Sequence, residues 1–105
     1  MSEAIGLLEV YGLTAAFVAG DAACKAADVR LEVFDKNKPA NADSLPVPLL
    51  VTVKMRGNVA AVQAAMESAE AAARGVSGDI VAKWVIPKPE DGTEPMFKLS
   101  AFDKN

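Results

Sequence analysis

The sequence predicts an α+β domain whose strands and helices follow one another in the order β-α-β-β-α-β. Three observations lead to this prediction. Two consecutive segments, 29–34 and 49–56, alternate apolar residues with mostly polar ones, which is the two-residue period of strands. Two alanine-rich segments, 13–27 and 59–73, repeat apolar residues at helical spacing. A short apolar run before the first helix and another after the second helix supply the remaining strands.

The first strand and the first helix are predicted from the start of the chain. Residues 4–10 are mostly apolar and are followed by Tyr11-Gly12, which is typical of a buried strand that ends at a turn. Helix one follows directly. One side of it is expected to face the core, with Leu13, Phe17, Gly20, Cys24 and Ala27. Cys24 is therefore interpreted as a small core residue and not as a reactive thiol.

Strands two and three follow helix one with no helix between them. Their connection, residues 36–48, is longer than an ordinary hairpin loop and is rich in Asn, Asp, Pro and Ala. Helix two is predicted to begin after Asn58, a good N-cap residue, and to end at Gly75, which suits a C-terminal cap. Glu67 and Glu70 on this helix are interpreted as part of a solvated face.

Strand four, residues 80–86, is apolar on both alternating faces, so we expect it to be covered on both sides. Its Trp84 is interpreted as a packing residue. The tail after Pro89 is expected either to dock as a short helix or to stay loose. This order of elements predicts a ferredoxin-like fold: a four-stranded antiparallel sheet with two helices on one face and a short C-terminal extension.

Composition limits the classes of function. A chain of 105 residues with 51% hydrophobic and 24% charged residues suits one folded domain. The net charge of −3, without a dense Lys/Arg cluster, argues against a nucleic-acid partner. No apolar run is long enough to cross a membrane, and the first residues lack the layout of a signal peptide. We therefore expect a cytoplasmic protein with no membrane partner.

Residue patterns that support catalysis or metal binding are missing from the sequence. The chain has one cysteine and no histidine, so neither a Cys-His nucleophile nor a histidine-containing zinc site can form. A glycine-rich phosphate loop and a Ser-His-Asp set are also absent. The sequence therefore predicts no catalytic residue, no metal site and no cofactor.

Four segments resemble the domain of bacterial microcompartment shell proteins, and they occur in the same order as in that family. They are LLEVYGLTAA from residue 7, DAACKAADV from residue 21, LVTVKMRGNVAAV from residue 50 and VIPKP from residue 85. Lys25 falls on the family's lysine. The resemblance extends from about residue 4 to residue 89, which is most of the predicted domain.

The resemblance implies a single-domain shell protein, not an enzyme, that forms a flat homohexamer with a central pore. Such hexamers tile with other shell proteins around encapsulated enzymes, within the cytoplasm. Lys25 would then lie at the hexamer edge, and Lys88 would occupy the position where the family usually has an edge arginine. Residues 1–89 would form the shell domain, and residues 90–105 would form a C-terminal tail.

The connection 36–48 is the main departure from the family, in which this loop is short, rich in glycine and lies on the six-fold axis. The pore loop is expected to contain Lys38, Pro39, Ala40, Asn41, Ala42, Asp43 and Ser44. Six copies of a longer loop stiffened by proline would narrow, cover or redirect the pore. The alternative is a surface insertion that lies away from the axis.

Two other classes of function stay open at this point. A ring-forming ferredoxin-like sensor could bind a small molecule with the loop 36–48. An enzyme acting through Lys38, Asp43 or Ser44 is less favoured, because no base accompanies a nucleophile.

Overall fold

The structure, a computed structural model, describes residues 3–37 and 49–98. Within these residues the chain forms five strands and three helices, which we number in chain order. Their bounds are β1 Ala4–Tyr11, α1 Leu13–Ala26, β2 Arg30–Leu31, β3 Asp35–Asn37, β4 Leu50–Gly57, α2 Val59–Ser77, β5 Ala82–Ile86 and α3 Glu94–Lys98.

The strands form one antiparallel sheet in the order β2-β4-β1-β5, and β3 also pairs with β4. The central strands β1 and β4 pair along their whole length, from Ala4–Gly57 to Tyr11–Leu50. Helices α1 and α2 pack against each other and against one face of the sheet, which we call the inner face. Helix α3 packs on the opposite, outer face. The ferredoxin-like α+β prediction is confirmed.

Strand two of the prediction is interrupted by a β-bulge. Leu31 pairs with Met55, and the next pair is Asp35 with Thr52, so three residues on one strand lie opposite two on β4. One extra residue reverses which side chains face the core. Val33, predicted to lie on the same face as Leu31, is consequently half exposed.

Helix α1 packs through its small residues: of the predicted core side, Gly20 is buried and Ala27 half-buried, but the prediction was wrong for the larger residues. The buried positions are Ala15, Ala16, Ala19, Gly20 and Ala23. Among the residues predicted to face the core, Leu13, Phe17 and Cys24 are exposed, with Phe17 at 62% of its maximum. Small side chains allow α1 to approach the sheet and α2 closely, and the bulky residues are left at the margin of the contact.

The N-terminus of α2 is confirmed, but its predicted C-terminus is wrong. The Asn58 side chain accepts a 2.8 Å hydrogen bond from the Ala61 backbone N–H, as an N-cap does. The helix continues through Gly75 to Ser77 and is followed by Gly78, whose φ of 83° lies in the left-handed region. The Gly78 N–H donates to the Arg74 carbonyl, so Gly78 and not Gly75 caps the helix.

Strand β5 is an edge strand in the described part of the chain, and the expectation that it is covered on both sides was wrong. It pairs with β1 alone, and most of its residues are exposed. Trp84 is 70% exposed, so the interpretation of this residue as internal packing was also wrong. An apolar run predicts burial, yet a strand at the edge of a sheet has neighbours on one side only.

Candidate assembly surface

The two ends of the sheet carry different groups of predicted functional residues. At one end, which we call the Ala4 end, Ala4 pairs with Gly57 and Ile5 pairs with Ile86. At the other end, the Tyr11 end, Leu50 pairs with Tyr11 on one side and Asn37 on the other. The eight residues of β1 separate these ends by roughly 23 Å at about 3.3 Å per residue.

Lys25 and Lys88 both lie near the Ala4 end. Helix α1 ends at Ala26, one residue after Lys25, and Lys88 follows β5 by two residues. Asp28 and Pro87 line the same surface concavity of about 450 Å³, together with Glu3 and Arg30 at its rim. Two residues that are 63 positions apart in the sequence are thus brought to one end of the fold by strand pairing.

The Lys25 ammonium is exposed and oriented by its own helix. Its Nζ lies 2.7 Å from Asp21 Oδ2, one helical turn earlier, while 76% of the Lys25 side chain remains exposed. The hydrogen bond from Lys25 to Asp21 raises the pKa of Lys25. A positive charge in the last turn also interacts favourably with the helix dipole. The side chain is therefore ionised and available to a second molecule.

A second ion pair forms part of the Ala4 end. The Arg30 guanidinium donates two hydrogen bonds to the Glu3 carboxylate, which fastens β2 to the residue before β1. This contact lowers the pKa of Glu3 and raises that of Arg30. Lys88 is exposed and directly follows Pro87, which lines the concavity. The rim of the concavity therefore presents charges of both signs.

The predicted pore loop connects to the Tyr11 end. The last described residue before it is Asn37, and Leu49 is the first described residue after it. Asn37 pairs with Leu50, and the Gly12 N–H donates a 2.8 Å hydrogen bond to the Leu49 carbonyl. The predicted pore-loop residues 38–44 themselves lie outside the described residues.

The outer face contains a cluster of buried charges that the sequence analysis missed. Lys54 and Arg56 on β4 are only 3% and 8% exposed. Arg56 donates two hydrogen bonds to the Glu94 carboxylate of α3, at 3.1 and 2.8 Å. Its Nε lies 3.6 Å from a Glu32 oxygen, which is too far for a hydrogen bond, and it donates to no other atom of the described residues.

Phe97 of α3 covers these two cations. Its ring centroid lies 4.9 Å from the Arg56 guanidinium carbon and 5.8 Å from the Lys54 Nζ, and its side chain is buried. Both distances suit cation–π contacts. Lys54 and Arg56 alternate with apolar residues along β4, and only the docking of α3 explains why these two charged side chains are buried.

The two helix-two glutamates have different surroundings. Glu67 is exposed, as predicted. Glu70 accepts hydrogen bonds from Lys83 at 2.6 Å and from Arg74 at 2.9 Å, and these contacts lower its pKa. Its side chain is 18% exposed, so it links α2 to β5 and is not part of a fully solvated face.

The described residues, 3–37 and 49–98, lack two kinds of feature. These residues contain no group of three or more His, Cys, Asp or Glu side chains that could hold a metal. None of the helices within them has the length and apolar character needed to cross a membrane.

Comparison with known proteins identifies the family. A family model described as the BMC domain matches residues 4–89. The chain is 44% identical over 95 residues to bacterial microcompartment shell protein PduA of Citrobacter freundii, covering 90% of this chain and 91% of that protein. It is 39% identical over 98 residues to shell protein EutM of Salmonella typhimurium, covering 93% and 92%. The carboxysome shell protein CcmK3 of Halothece is 32% identical over 105 residues, covering 99% and 94%.

A solved structure shares the fold. The crystal structure of a microcompartment protein from Desulfitobacterium hafniense superposes with a TM-score of 0.70 at 24% identity, over 90% of this chain. The chain spans about half of that solved chain, 48% of its length. The curated relatives are shell components, a structural and not a catalytic class. The chain therefore belongs to the BMC-domain family and is a bacterial microcompartment shell protein of the single-domain type.

Proposed function

We propose that this shell protein forms a homohexameric ring with the loop 36–48 on the central axis and Lys25 and Lys88 on the outer perimeter. Residues 1–89 form the tile, and residues 90–105 form its tail, of which α3 packs on the outer face. The observation that carries this proposal is the separation of the two groups at opposite ends of the sheet. A ring needs each subunit to be a wedge with one end at the axis and the other at the perimeter.

At the axis, the loop 36–48 narrows or covers the pore. Both strands that lead into it end at the Tyr11 end, so six copies converge when these ends face the axis. Eleven residues between Asn37 and Leu49 in each of six subunits fill far more space than a two-residue hairpin turn. Three of these residues, Pro39, Pro46 and Pro48, restrict the backbone and limit how far the loop can fold aside.

At the perimeter, Lys25 and Lys88 contact the neighbouring ring or another shell protein. A long lysine stem packs along an adjacent surface while its ammonium reaches acceptors on the other molecule. Asp21 orients Lys25 before contact, which reduces the side-chain entropy lost on assembly. Enzymes enclosed by the shell are candidate partners for the two flat faces of the tile.

The experiment is native mass spectrometry of the purified chain with negative-stain imaging at increasing protein concentration. Six-subunit particles that tile into sheets are expected, with density on the six-fold axis from the loop 36–48. The variant Lys25→Ala should keep the six-subunit mass and lose most of its sheet formation. Lys98→Ala, which removes an exposed lysine from α3, is the matched control and should tile like the unmodified chain.

Three outcomes would contradict the proposal. A chain that stays monomeric or trimeric at every concentration excludes the hexameric ring. Rings with an open axis exclude the pore-covering role of the loop 36–48. Lys25→Ala rings that tile normally, or that fall apart into monomers, exclude the perimeter role of Lys25.

A further inference from the structure

The sheet has two lateral edges, and aromatic residues lie at both: exposed Trp84 on β5, and half-buried Phe34 with exposed Phe17 of α1 beside β2 and β3. Strand β5 forms one edge, and β2 with β3 forms the other. With the Tyr11 end at the axis and the Ala4 end at the perimeter, these edges are the two sides of the wedge. Adjacent subunits of a ring must therefore meet through them, β5 of one copy against β2 and β3 of the next.

The β5 edge presents Trp84. Its side chain is 70% exposed, and neighbouring Val81 is also exposed. Lys83, the preceding residue, lies on the opposite face of the strand, where it is paired with Glu70 of α2. A large aromatic residue that contributes so little to the core of its own chain is typical of an interface anchor.

The β2 and β3 edge presents an apolar groove of about 400 Å³. Its lining residues are Leu13, Phe17, Leu31, Glu32, Val33 and Phe34. The rings of Phe17 and Phe34 make an edge-to-face contact with centroids 5.3 Å apart. The bulge in β2 and β3 turns Val33 outward into this groove, and packing of α1 through small residues leaves Phe17 at its border.

We propose that Trp84 of one subunit inserts into the Phe17–Phe34 groove of the next subunit in the ring, an inference that rests on the proposed hexamer. Three strand spacings of about 4.8 Å put the two edges roughly 14 Å apart within one chain. A single copy therefore has no means of filling its groove with its own indole. A contact between two different surfaces is head-to-tail, and such contacts form a ring when the rotation between successive copies closes, as in the proposed hexamer.

Size also favours a second copy as the occupant. A buried aromatic side chain contributes about 150–250 Å² of contact area. Trp84 and the groove aromatics therefore supply a substantial part of the roughly 800 Å² per partner that a stable interface needs.

Trp84 is the only tryptophan in the chain, so its fluorescence reports this contact directly. Emission should shift to shorter wavelength, and quenching by acrylamide should decrease, as hexamers form on raising the protein concentration. Trp84→Ala should raise the concentration for half-assembly by about tenfold or more, the scale of an interface anchor. Phe17→Ala should also weaken assembly and leave Trp84 more accessible to the quencher in the remaining hexamers.

Two controls separate assembly from folding. Trp84 is exposed in the monomer, so Trp84→Ala should keep the circular dichroism spectrum and thermal unfolding of the dissociated chain. Met96→Ala removes a similarly exposed apolar residue outside both edges and should assemble like the unmodified chain.

Hexamers in which Trp84 is as accessible as in the monomer, and which Trp84→Ala does not weaken, would overturn this contact and leave the proposed ring intact. A shielded Trp84 in a chain that stays monomeric would overturn it too, because a segment of the same chain would then be the occupant. A chain that forms no hexamer at all would contradict the proposed function, and this inference would then fail together with it.

Discussion

Both faces of the sheet contain buried side chains, but different kinds of contact bury them. The inner face lies under α1 and α2 and is apolar, with Leu8, Val10, Val53 and Met55 facing alanines of the two helices. The outer face holds Lys54 and Arg56, which α3 covers with Phe97 and Glu94.

Close packing of apolar side chains therefore stabilises the inner face, and the pairing of charges stabilises the outer face. On the inner face, a Cβ added at Gly6 would lie 2.9 Å from the Met55 and Val62 side chains, which leaves no room for a larger residue. On the outer face, two cations are buried only because a carboxylate and an aromatic ring accompany them. The first contact should respond to changes in side-chain volume, and the second to pH and to removal of α3.

The largest effect is expected from Leu8→Ala on the inner face. Leu8 is fully buried in the apolar core, so its truncation should lower the free energy of unfolding by about 3–4 kcal/mol. Leu7→Ala, the adjacent residue on the outer face, is half-buried and should cost less than half as much. Urea unfolding monitored by circular dichroism measures both, and equal losses would show that the faces do not differ.

A smaller effect is expected from Phe97→Ala on the outer face. Phe97 is buried, but it belongs to a five-residue helix at the periphery, and we expect a loss of about 2 kcal/mol. Met96→Ala in the same helix is the control and should stay within about 0.5 kcal/mol of the unmodified chain, because Met96 is exposed. The same urea titration measures both variants. Equal stabilities for the two variants would show that α3 does not cover the sheet.

The smallest effect, and one that depends on pH, is expected from Glu94→Gln. The hydrogen bonds from Arg56 lower the pKa of Glu94 below its ordinary value of 4.5. The ionised carboxylate therefore stabilises the folded state above about pH 4.5, and this contribution is lost as the pH falls through the lowered pKa of the folded state. Glu94→Gln should be less stable than the unmodified chain at pH 7.

The free energies of unfolding of the unmodified chain and of Glu94→Gln should converge as the pH falls below 4.5. Glu3 and Glu70 also have lowered pKa values, but both proteins contain them, so their contributions cancel in the difference. Thermal unfolding between pH 7 and pH 3 gives this difference directly. A gap that stays constant over the whole range would mean that the Arg56–Glu94 ion pair does not contribute.

Local patterns predicted the elements well and their environments poorly. Asn58 was identified correctly as the N-cap of α2 because a cap depends on neighbouring residues alone. Gly75 was mistaken for the C-cap, since both Gly75 and Gly78 follow the apolar stripe and only the backbone conformation at Gly78 distinguishes them. The bulge after Leu31 reversed the expected orientation of Val33, and no sequence signal marked it.

The sequence by itself determined the order of strands and helices, the ferredoxin-like class and the membership of the shell-protein family, because periodicity and short motifs are local properties. Only the tertiary structure decided which surfaces are buried and which are exposed. Trp84 lies in an apolar run yet is exposed, because β5 is an edge strand with a neighbour on one side. Arg56 lies in an alternating strand yet is buried, because α3 folds back over it from 38 residues further along the chain. Both outcomes depend on pairing between distant segments, which local periodicity does not specify.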